Sequence, residues 1–383
     1  MDLTTPTTYH FPTSIRFGAG VINELSDYLS SNKLSRPLLV TDPVLEHLPV
    51  FKNVLESLKK NNINASVFSE IEKNPIKRNV LSGVDCFHSN SCDSIIGFGG
   101  GASMDVARSI ALKANHPDND LFDFDDALGG DRHVVNPIPH FVTVPTTSGT
   151  GSEVGRSAVI SDDITHQKRI LFSPELMAKK VFVDPELSLE LPAFTTAATG
   201  MDALTHNIEA YLAKGFSPLC DGIALEGIRL VAKSLKGAVH SPNVENRAEM
   251  AMAALMGATA FQKGLGVVHS LAHPLSTVFN LHHGLANAIM LPFGVEFNAE
   301  VVPMRIMTIS KELGLDGRDP KELFDYIRNL SSDIGLPLDL GSQGVTKEKV
   351  SELVQLSLKD PCHLCNPREV TESDFTNLYL KAL

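Results

Sequence analysis

A carboxylate and several histidines are concentrated in the second half of the chain. They are Asp202, His206, His269, His273, His282 and His283. Asp202 and His206 lie four residues apart, as do His269 and His273, and side chains at this spacing project from the same face of an α-helix. One carboxylate and several imidazoles directed at one point are typical ligands of a divalent transition metal. A lone histidine is more often a hydrogen-bonded core residue, but two such pairs on apolar segments favour a metal site.

Spacing alone leaves the ligand set open. His269 and His273 are the natural second pair, and His283 is the alternative to His273. Pro274 follows His273 directly, which predicts that the helix ends or kinks there. Three imidazoles and one carboxylate suit Fe²⁺ and Zn²⁺ equally well.

A glycine-rich segment in the first half has the composition of a phosphate-binding loop. It follows the apolar run Ser94–Gly99 and precedes a helical pattern. Glycines let the backbone approach a phosphate, and a helix N-terminus offers free amides, although a tight turn would need glycines too. The candidate cofactor contacts are Gly99, Gly100, Gly101, Ala102, Ser103 and Asp105.

A second small, polar segment, Thr146–Glu153, follows the apolar run His140–Pro145. The hydroxyls of Thr146, Thr147 and Thr150 suit phosphate or ribose contacts. The alternative interpretation is a Ser/Thr turn that caps a helix.

Positioning these segments requires two kinds of domain. The first half alternates short apolar runs with helical patterns such as Val50–Asn61 and Met104–Ala114, which is typical of a parallel sheet covered on both faces. The predicted strands are Pro37–Asp42, Ala65–Phe68, Ser94–Gly99, His140–Pro145, Ser157–Ser161 and Lys180–Asp184.

After Leu191 the strand signals almost disappear. Long patterns rich in Ala, Leu and Met replace them, such as Ser217–Lys236 and Val244–Lys263. The sequence therefore predicts an α/β, Rossmann-like dinucleotide-binding domain over residues 1–190 and an all-helical metal-binding domain over residues 191–383.

The bulk composition is that of a globular protein, with 383 residues, of which 43% are hydrophobic and 20% charged. A formal net charge of −12 argues against nucleic-acid binding. The longest apolar run, Ala251–Phe261, is too short to cross a bilayer, and the first ten residues lack the features of a secretory signal. The five cysteines have no framework spacing, and Cys362 and Cys365 lack a second pair, so we expect a cytoplasmic protein.

The motifs together resemble the iron-containing (group III) alcohol dehydrogenases. They read D-A-L-T-H, H-S-L-A-H-P-L and H-G-L-A-N-A in the second half, and G-G-G-A-S-M-D and P-T-T-S-G-T-G-S-E in the first. The resemblance extends from F-P-T-S-I-R-F-G-A-G, beginning at Phe11, to N-P-R at Asn366, for which a structural role is expected. It implies the dehydroquinate synthase-like fold and a metal that polarises the oxygen of an alcohol or aldehyde while hydride passes to or from NAD. The family name favours Fe²⁺ over Zn²⁺.

The resemblance also implies individual roles. The ligands would be Asp202, His206, His269 and His283. His273 would lie beside the nicotinamide and the substrate as the catalytic residue, and His282, which departs from the family pattern, would be structural or lie at the rim. The residues that would contact the dinucleotide are Asn74, Thr146, Thr150, Lys168 and Leu187. Ala102 departs from the family pattern, because it replaces a serine that is common there.

Asp42 closes the first clear strand, where an acidic residue can accept hydrogen bonds from the adenosine ribose and repel the 2′-phosphate of NADP. A capping or turn aspartate is the alternative, and the resemblance favours the ribose contact and hence NAD.

Four alternatives compete with an alcohol dehydrogenase. A dehydroquinate synthase would grip an anionic phosphorylated substrate, but the segments Met201–Tyr211 and Leu265–Leu291 contain few basic residues. Maleylacetate reductases are similar but lack the metal ligands. A reductase or transhydrogenase of hydroxy acids, or a regulatory homologue without turnover, remains an alternative. A symmetric homo-oligomer, at least a homodimer, is expected for a soluble enzyme of this kind.

Overall fold

The computed structural model describes Phe11, residues 13–165 and residues 167–383. The N-terminal decapeptide, interpreted above as lacking a secretory signal, lies outside the described residues. The described chain forms two compact units. One comprises residues 13–147 and Ser152–Leu189; the other comprises Ser148–Gly151 and Glu190–Leu383. We call them the sheet unit and the helical unit. The assignment of separate functions to residues 1–190 and 191–383 stays a prediction.

A parallel sheet forms the centre of the sheet unit, as predicted, and it has six strands. Its strands are β1 (Ile15–Phe17), β2 (Pro37–Val40), β3 (Ser66–Phe68), β4 (Ser94–Gly99), β5 (His140–Pro145) and β8 (Lys180–Val183). Their order in space is β1-β8-β5-β4-β2-β3. Every residue of β2 and β4 is buried, which explains why both strands are continuous apolar runs in the sequence.

Among the described residues, the sheet unit has four α-helices: α1 (Leu25–Ser31), α2 (Pro49–Lys60), α3 (Lys77–Ser89) and α4 (Gly101–Ala114). α1 and α2 pack with the sheet through an apolar cluster that includes Leu25, Phe51 and Ile96. β4 leads directly into α4, so the glycine loop occupies the carboxyl end of a central strand. In open parallel sheets this edge is where ligands usually bind.

A separate two-stranded antiparallel sheet pairs β6 (Ser157–Ser161) with β7 (Lys168–Phe172). β6 was predicted as a strand, but β7 and β1 were not. β7 begins with Lys168-Arg169 and only one of its five residues is buried, so its sequence carries no continuous apolar run.

The helical unit contains nine α-helices within the described residues. They are α5 (Ala193–Leu212), α6 (Pro218–His240), α7 (Val244–Ala260), α8 (Val267–Phe279), α9 (His283–Ala299), α10 (Pro303–Glu312), α11 (Pro320–Asp333), α12 (Val350–Ser357) and α13 (Glu372–Ala382). α5 is the central helix, because 16 of its 20 residues are buried and it packs against α6, α7 and α9. A helix buried on all sides can place polar side chains in a dry interior.

The contact between α5 and α9 depends on Gly284. A Cβ atom at this position would collide with the main-chain carbonyl of Ala198 on α5 and would lie 3.3 Å from the Cβ of Asp202. Any side chain would therefore force the two helices apart. Gly284 directly follows His283, so this close contact lies at the predicted metal site.

The turn between α7 and α8 differs from the sequence-based expectation. The α-helical part of α7 ends at Ala260 and continues as a 3₁₀ turn, Phe261–Lys263. The expectation that the next helix ends at Pro274 was wrong, because α8 continues to Phe279 with the proline inside it.

Within the described part of the chain, no single helix is long and apolar enough to cross a membrane. The bent pair Val244–Lys263 and Val267–Phe279 meets the requirement only when its two helices are taken together, and only by length and composition.

Candidate metal and dinucleotide sites

α5 presents three ionisable side chains along one face. Asp202, His206 and Glu209 lie at positions i, i+4 and i+7, and each is at most 5% exposed. His269 projects from the first turn of α8, and His283 is the first residue of α9. Three helices thus bring the predicted ligands together.

The ligand atoms converge on one small volume. Asp202, His269 and His283 each offer one atom, and these three atoms lie within 4.8 Å of one another. The Nε2 atoms of His206 and His269 are 3.0 Å apart. The Oδ1 atom of Asp202 lies 3.5 Å from Nε2 of His283, 3.8 Å from Nδ1 of His206 and 4.0 Å from Nε2 of His269.

Two of these separations match those around a divalent ion. With metal–nitrogen distances of about 2.0–2.1 Å, ligand atoms lie about 3.4 Å apart at tetrahedral angles and about 3.0 Å apart at right angles. The separations of 3.0 Å between His206 and His269 and of 3.5 Å between Asp202 and His283 are close to these values, whereas the 4.0 Å between Asp202 and His269 is longer and would have to shorten around an ion. One carboxylate with three imidazoles is also a donor set that Fe²⁺ and Zn²⁺ both accept.

The surroundings of His206 and His269 shift the pKa values of their imidazoles in opposite directions. Burial lowers the pKa of His206 to about 4, so this ring is neutral at pH 7 and has a lone pair available for a metal. Burial also opposes the charged form of His269, but its hydrogen bond to Glu209 and the nearby carboxylates of Asp202 and Asp360 raise its pKa overall. The environment of His269 is therefore strongly negative.

Glu209 and Asn287 surround the ligands. The carboxylate of Glu209 accepts a hydrogen bond from Nδ1 of His269 at 2.6 Å. The Nδ2 atom of Asn287 donates to Oδ1 of Asp202 at 2.7 Å and lies 3.2 Å from Nε2 of His283. We did not predict either residue. Glu209 was detectable, because it continues the spacing of Asp202 and His206, and Asn287 lies within the H-G-L-A-N-A motif.

His273 lies beside this cluster with a different partner. Its Nδ1 atom is 2.6 Å from Oδ2 of Asp360, and its ring stacks on that of His283 with centroids 5.3 Å apart. Ser270 Oγ and the amide of Cys362 donate to the other oxygen of Asp360. Burial alone would raise the pKa of Asp360, but His273 and these donors hold it well below its usual range.

Sequence reasoning missed Asp360, which is 87 residues from His273 and belongs to none of the motifs. Cys362 had no predicted role, but one ligand atom from each of Cys362, His273 and Asp360 lies within 4.8 Å of the others. Burial raises the pKa of the Cys362 thiol well above its usual value, so this thiol stays protonated at neutral pH. His282 is exposed and packs edge-on against Phe194, in keeping with a position at the rim.

In the sheet unit, the glycine loop has a main-chain conformation that a side chain would disturb. Gly99 has φ +146°, and a Cβ atom there would lie 2.6 Å from Oγ of Ser103. The amide of Thr146 donates to the carbonyl of Gly99 at 3.0 Å, and Thr147 packs against Gly100. The glycine loop and the start of the second predicted segment, Thr146 and Thr147, are therefore neighbours at the carboxyl ends of β4 and β5.

α4 starts at Gly101, and the preceding Gly100 has no side chain that could cap it. The first amides of α4, which include Gly101, Ala102 and Ser103, thus keep the anion-binding character of a helix N-terminus. Ser103 is buried, whereas Ala102 is half-buried.

Asp105 is occupied by protein groups. Its carboxylate accepts hydrogen bonds from Ser152 Oγ at 2.9 Å and from the amide of Val159 at 3.1 Å, and it pairs with the buried Arg108. Burial raises its pKa, although Arg108 acts in the opposite direction. These contacts connect α4 to β6, and a role of Asp105 in cofactor binding stays a prediction.

Asp42 forms the turn that was the alternative interpretation. Its Oδ1 atom accepts hydrogen bonds from the amides of Val44 and Leu45, both at 2.9 Å, at the start of a short 3₁₀ helix. Because these bonds use only one carboxylate oxygen, a ribose contact through the other is compatible with them. That contact stays a prediction.

The remaining predicted cofactor residues are spread over both units. Asn74 lies in the loop after β3, Lys168 is the first residue of β7, and Leu187 lies in a 3₁₀ turn and packs against the core of the sheet unit. Thr150 belongs to the segment Ser148–Gly151, which groups with the helical unit.

Comparison with known proteins covers nearly the whole chain. The model described as iron-containing alcohol dehydrogenase matches residues 12–185, and that of the Fe-containing alcohol dehydrogenase family, C-terminal, matches residues 196–383. The 4-hydroxybutyrate dehydrogenase of Cupriavidus necator is 34% identical, with 96% of this chain and 98% of the relative covered. The NAD-dependent methanol dehydrogenase of Bacillus methanolicus is 31% identical, with 98% and 100% covered. The crystal structure of a 1,3-propanediol oxidoreductase superposes with a TM-score of 0.94 at 33% identity, covering 99% of this chain and 100% of that one.

Proposed function

Because the chain belongs to the iron-containing alcohol dehydrogenase family, we propose that it is a metal-dependent alcohol dehydrogenase that uses NAD. It interconverts a primary alcohol and its aldehyde by reversible hydride transfer. The observation that carries the proposal is the convergence of Asp202, His206, His269 and His283 in the helical unit.

These four residues would hold the metal, with Fe²⁺ as the expected ion and Zn²⁺ as the alternative. A divalent ion held there supplies a Lewis acid that lowers the pKa of the alcohol and polarises the aldehyde. The neutral imidazole of His206 can bind an ion at pH 7 without first losing a proton. Asp202 contributes the negative charge of the set.

His273 is the proposed catalytic residue. Asp360 accepts from its Nδ1 atom, and this hydrogen bond leaves Nε2 as the atom that can exchange a proton with the substrate side. Ser270 and the amide of Cys362 donate hydrogen bonds that hold the Asp360 carboxylate in place, and Asp360 in turn orients the imidazole of His273.

The sheet unit is the proposed binding site of NAD, which accepts or supplies the hydride. The Gly99–Ser103 loop and the first turn of α4 offer main-chain amides to the pyrophosphate. The proposed contacts to the rest of the dinucleotide are Asp42, Asn74, Thr146, Thr147, Thr150, Lys168 and Leu187.

A substrate panel tests the proposal. Protein loaded separately with Fe²⁺ and Zn²⁺ is assayed for NADH formation with methanol, 1,3-propanediol, 4-hydroxybutyrate and longer primary alcohols, and for NADH consumption with the matching aldehydes. We expect turnover in both directions that is lost after chelation and restored by the ion. Turnover that is unaffected by chelation, or none with any member of the panel, would contradict the proposal. Cytoplasmic location and a homodimeric or larger assembly stay predictions.

A further inference from the structure

Glu209 is a buried carboxylate whose contacts all lead to the start of α8. Its side chain is 3% exposed and projects from α5 one turn after His206. One oxygen, Oε1, accepts a hydrogen bond from the amide of Val268 at 2.7 Å. The other, Oε2, accepts from both the amide and the ring of His269, at 3.3 and 2.6 Å.

The ring contact determines which nitrogen of His269 carries the proton. A carboxylate can only accept, so Nδ1 of His269 must be the protonated nitrogen. Nε2 then keeps its lone pair, and this is the atom that faces Nε2 of His206 at 3.0 Å. Carboxylate partners of this kind orient metal-binding histidines and raise their basicity.

The main-chain contacts fix the position of the same residue. The first amides of a helix have no partners within the helix, and Glu209 accepts from those of Val268 and His269. Asn366, from the N-P-R element, accepts from the amide of Val267. The backbone and the ring of His269 are thus held by one carboxylate, which restricts both its place in space and its side-chain rotation.

We propose that Glu209 is a positioning residue of the metal site: it holds His269 in the one tautomer and orientation that leave Nε2 free for the ion. The inference rests on the proposed metal-dependent function and names a residue on which metal affinity depends although it does not bind the ion itself. A helix-capping role alone is the competing explanation.

Glu209→Gln separates the two explanations. Glutamine has the same shape and keeps one carbonyl oxygen, which can still accept from the amide of Val268. The amide nitrogen would then face Nδ1 of His269, where it can only donate, and this favours the tautomer with the proton on Nε2. Capping survives in part, whereas metal binding is opposed.

The experiment compares the wild type, Glu209→Gln and the control Asn243→Ala. Asn243 caps α7 in the same unit by accepting from the amide of Asn246, so its loss removes a helix cap without touching an imidazole. The Zn²⁺ affinity of each metal-free protein is measured by competition with a chromophoric chelator. We expect Glu209→Gln to bind Zn²⁺ about 10- to 100-fold more weakly, and Asn243→Ala to bind it as the wild type does. An affinity for Glu209→Gln within twofold of the wild type would overturn the proposal.

A second measurement keeps the test decisive if Glu209→Gln is less stable than the wild type. The melting temperature is recorded with and without Zn²⁺, because a ligand that binds the folded state raises it, and tighter binding gives a larger increase. A positioning role predicts a smaller metal-induced increase in Glu209→Gln, whereas a capping role predicts a lower melting temperature in both conditions and an unchanged increase. Alcohol turnover of the wild type is scored separately: its absence would count against the proposed function, and normal metal binding by Glu209→Gln would count against Glu209.

Discussion

The helical unit and the sheet unit differ in which part of the chain faces their predicted ligands. In the helical unit, buried side chains from α5, α8 and α9 converge, and the main chain near them is occupied by helical hydrogen bonds or, at the start of α8, by the side chains of Glu209 and Asn366. In the sheet unit, the Gly99–Ser103 loop offers main-chain amides, and Asp105, which follows it in α4, is turned to protein partners. Removal of one side chain should therefore affect the two units very differently.

This difference follows from what each ligand requires. A transition metal needs a few donor atoms of defined type, and only side chains supply imidazole nitrogen. A pyrophosphate needs several weak donors spread over a loop, and amides at a helix N-terminus supply them without any particular side chain. We expect function to fall steeply with single substitutions in the metal cluster and gradually in the loops.

The largest effect is expected for His269→Ala, with His206→Ala as its companion. Each change removes one imidazole from the cluster, and the loss of the ion costs several kcal/mol of transition-state stabilisation, or about 10³-fold in turnover. Elemental analysis measures metal content, and circular dichroism checks the fold. Stoichiometric metal in either folded variant would show that the removed imidazole is not needed to hold the ion, which contradicts the steep loss expected for the metal cluster.

A smaller effect is expected for His273→Ala. Because His273 pairs with Asp360, this variant should keep its metal and lose about 10²-fold in kcat, the lower end of the range for a lost acid–base group. His283→Ala should instead lose the metal. The opposite pattern, metal lost from His273→Ala and kept by His283→Ala, would show that the i,i+4 pair in α8 binds the ion.

Asp42 tests whether a side chain in the sheet unit has a specific role after all. Asp42→Gly should relax the preference for NAD over NADP by about ten- to a hundredfold, since a charge-assisted hydrogen bond contributes about 1.5–3 kcal/mol. Asp42→Asn is the matched control, because its carbonyl can still accept from Val44 and Leu45 while the charge is gone. The measured quantity is kcat/KM for both cofactors. An unchanged ratio in both variants would leave Asp42 as a turn residue only.

The smallest effect on turnover is expected at Glu153, a buried carboxyl of the sheet unit. Burial raises its pKa to about 7 from an ordinary value of 4.5. Because the folded state holds this proton more tightly, the stabilisation is complete below about pH 4.5 and is lost as the pH rises through about 7.

Glu153→Gln cannot ionise and should remove this pH dependence. Melting temperatures between pH 5 and pH 8 would decrease less steeply for the variant than for the wild type. Parallel curves for the two proteins would mean that Glu153 already ionises normally in the folded protein.

The same contrast explains how much could be predicted from the sequence. Asp202 and His206 were detectable because a helix turns a spacing of four into proximity, and β4 because a buried parallel strand is a continuous apolar run. Asp360 was not, since its contact with His273 spans 87 residues and depends on how α8 packs. β7 was missed because a strand with one buried residue has no apolar signature. The helix end expected at Pro274 was wrong because a proline strongly disfavours, but does not forbid, a helix interior when tertiary packing holds both sides.

The contact at Gly284 has a consequence for ionic radius. The close main-chain contact of α5 with α9 at Gly284 holds the backbones near Asp202 and His283 together, and Oδ1 of Asp202 lies 3.5 Å from Nε2 of His283. A wider ion would have to separate these two atoms by rotating the side chains, since the packed helices resist moving apart. Selectivity among divalent ions depends on cavity size and rigidity as well as on donor type. Part of that rigidity comes from Gly284, a residue that has no side chain and is not among the predicted ligands.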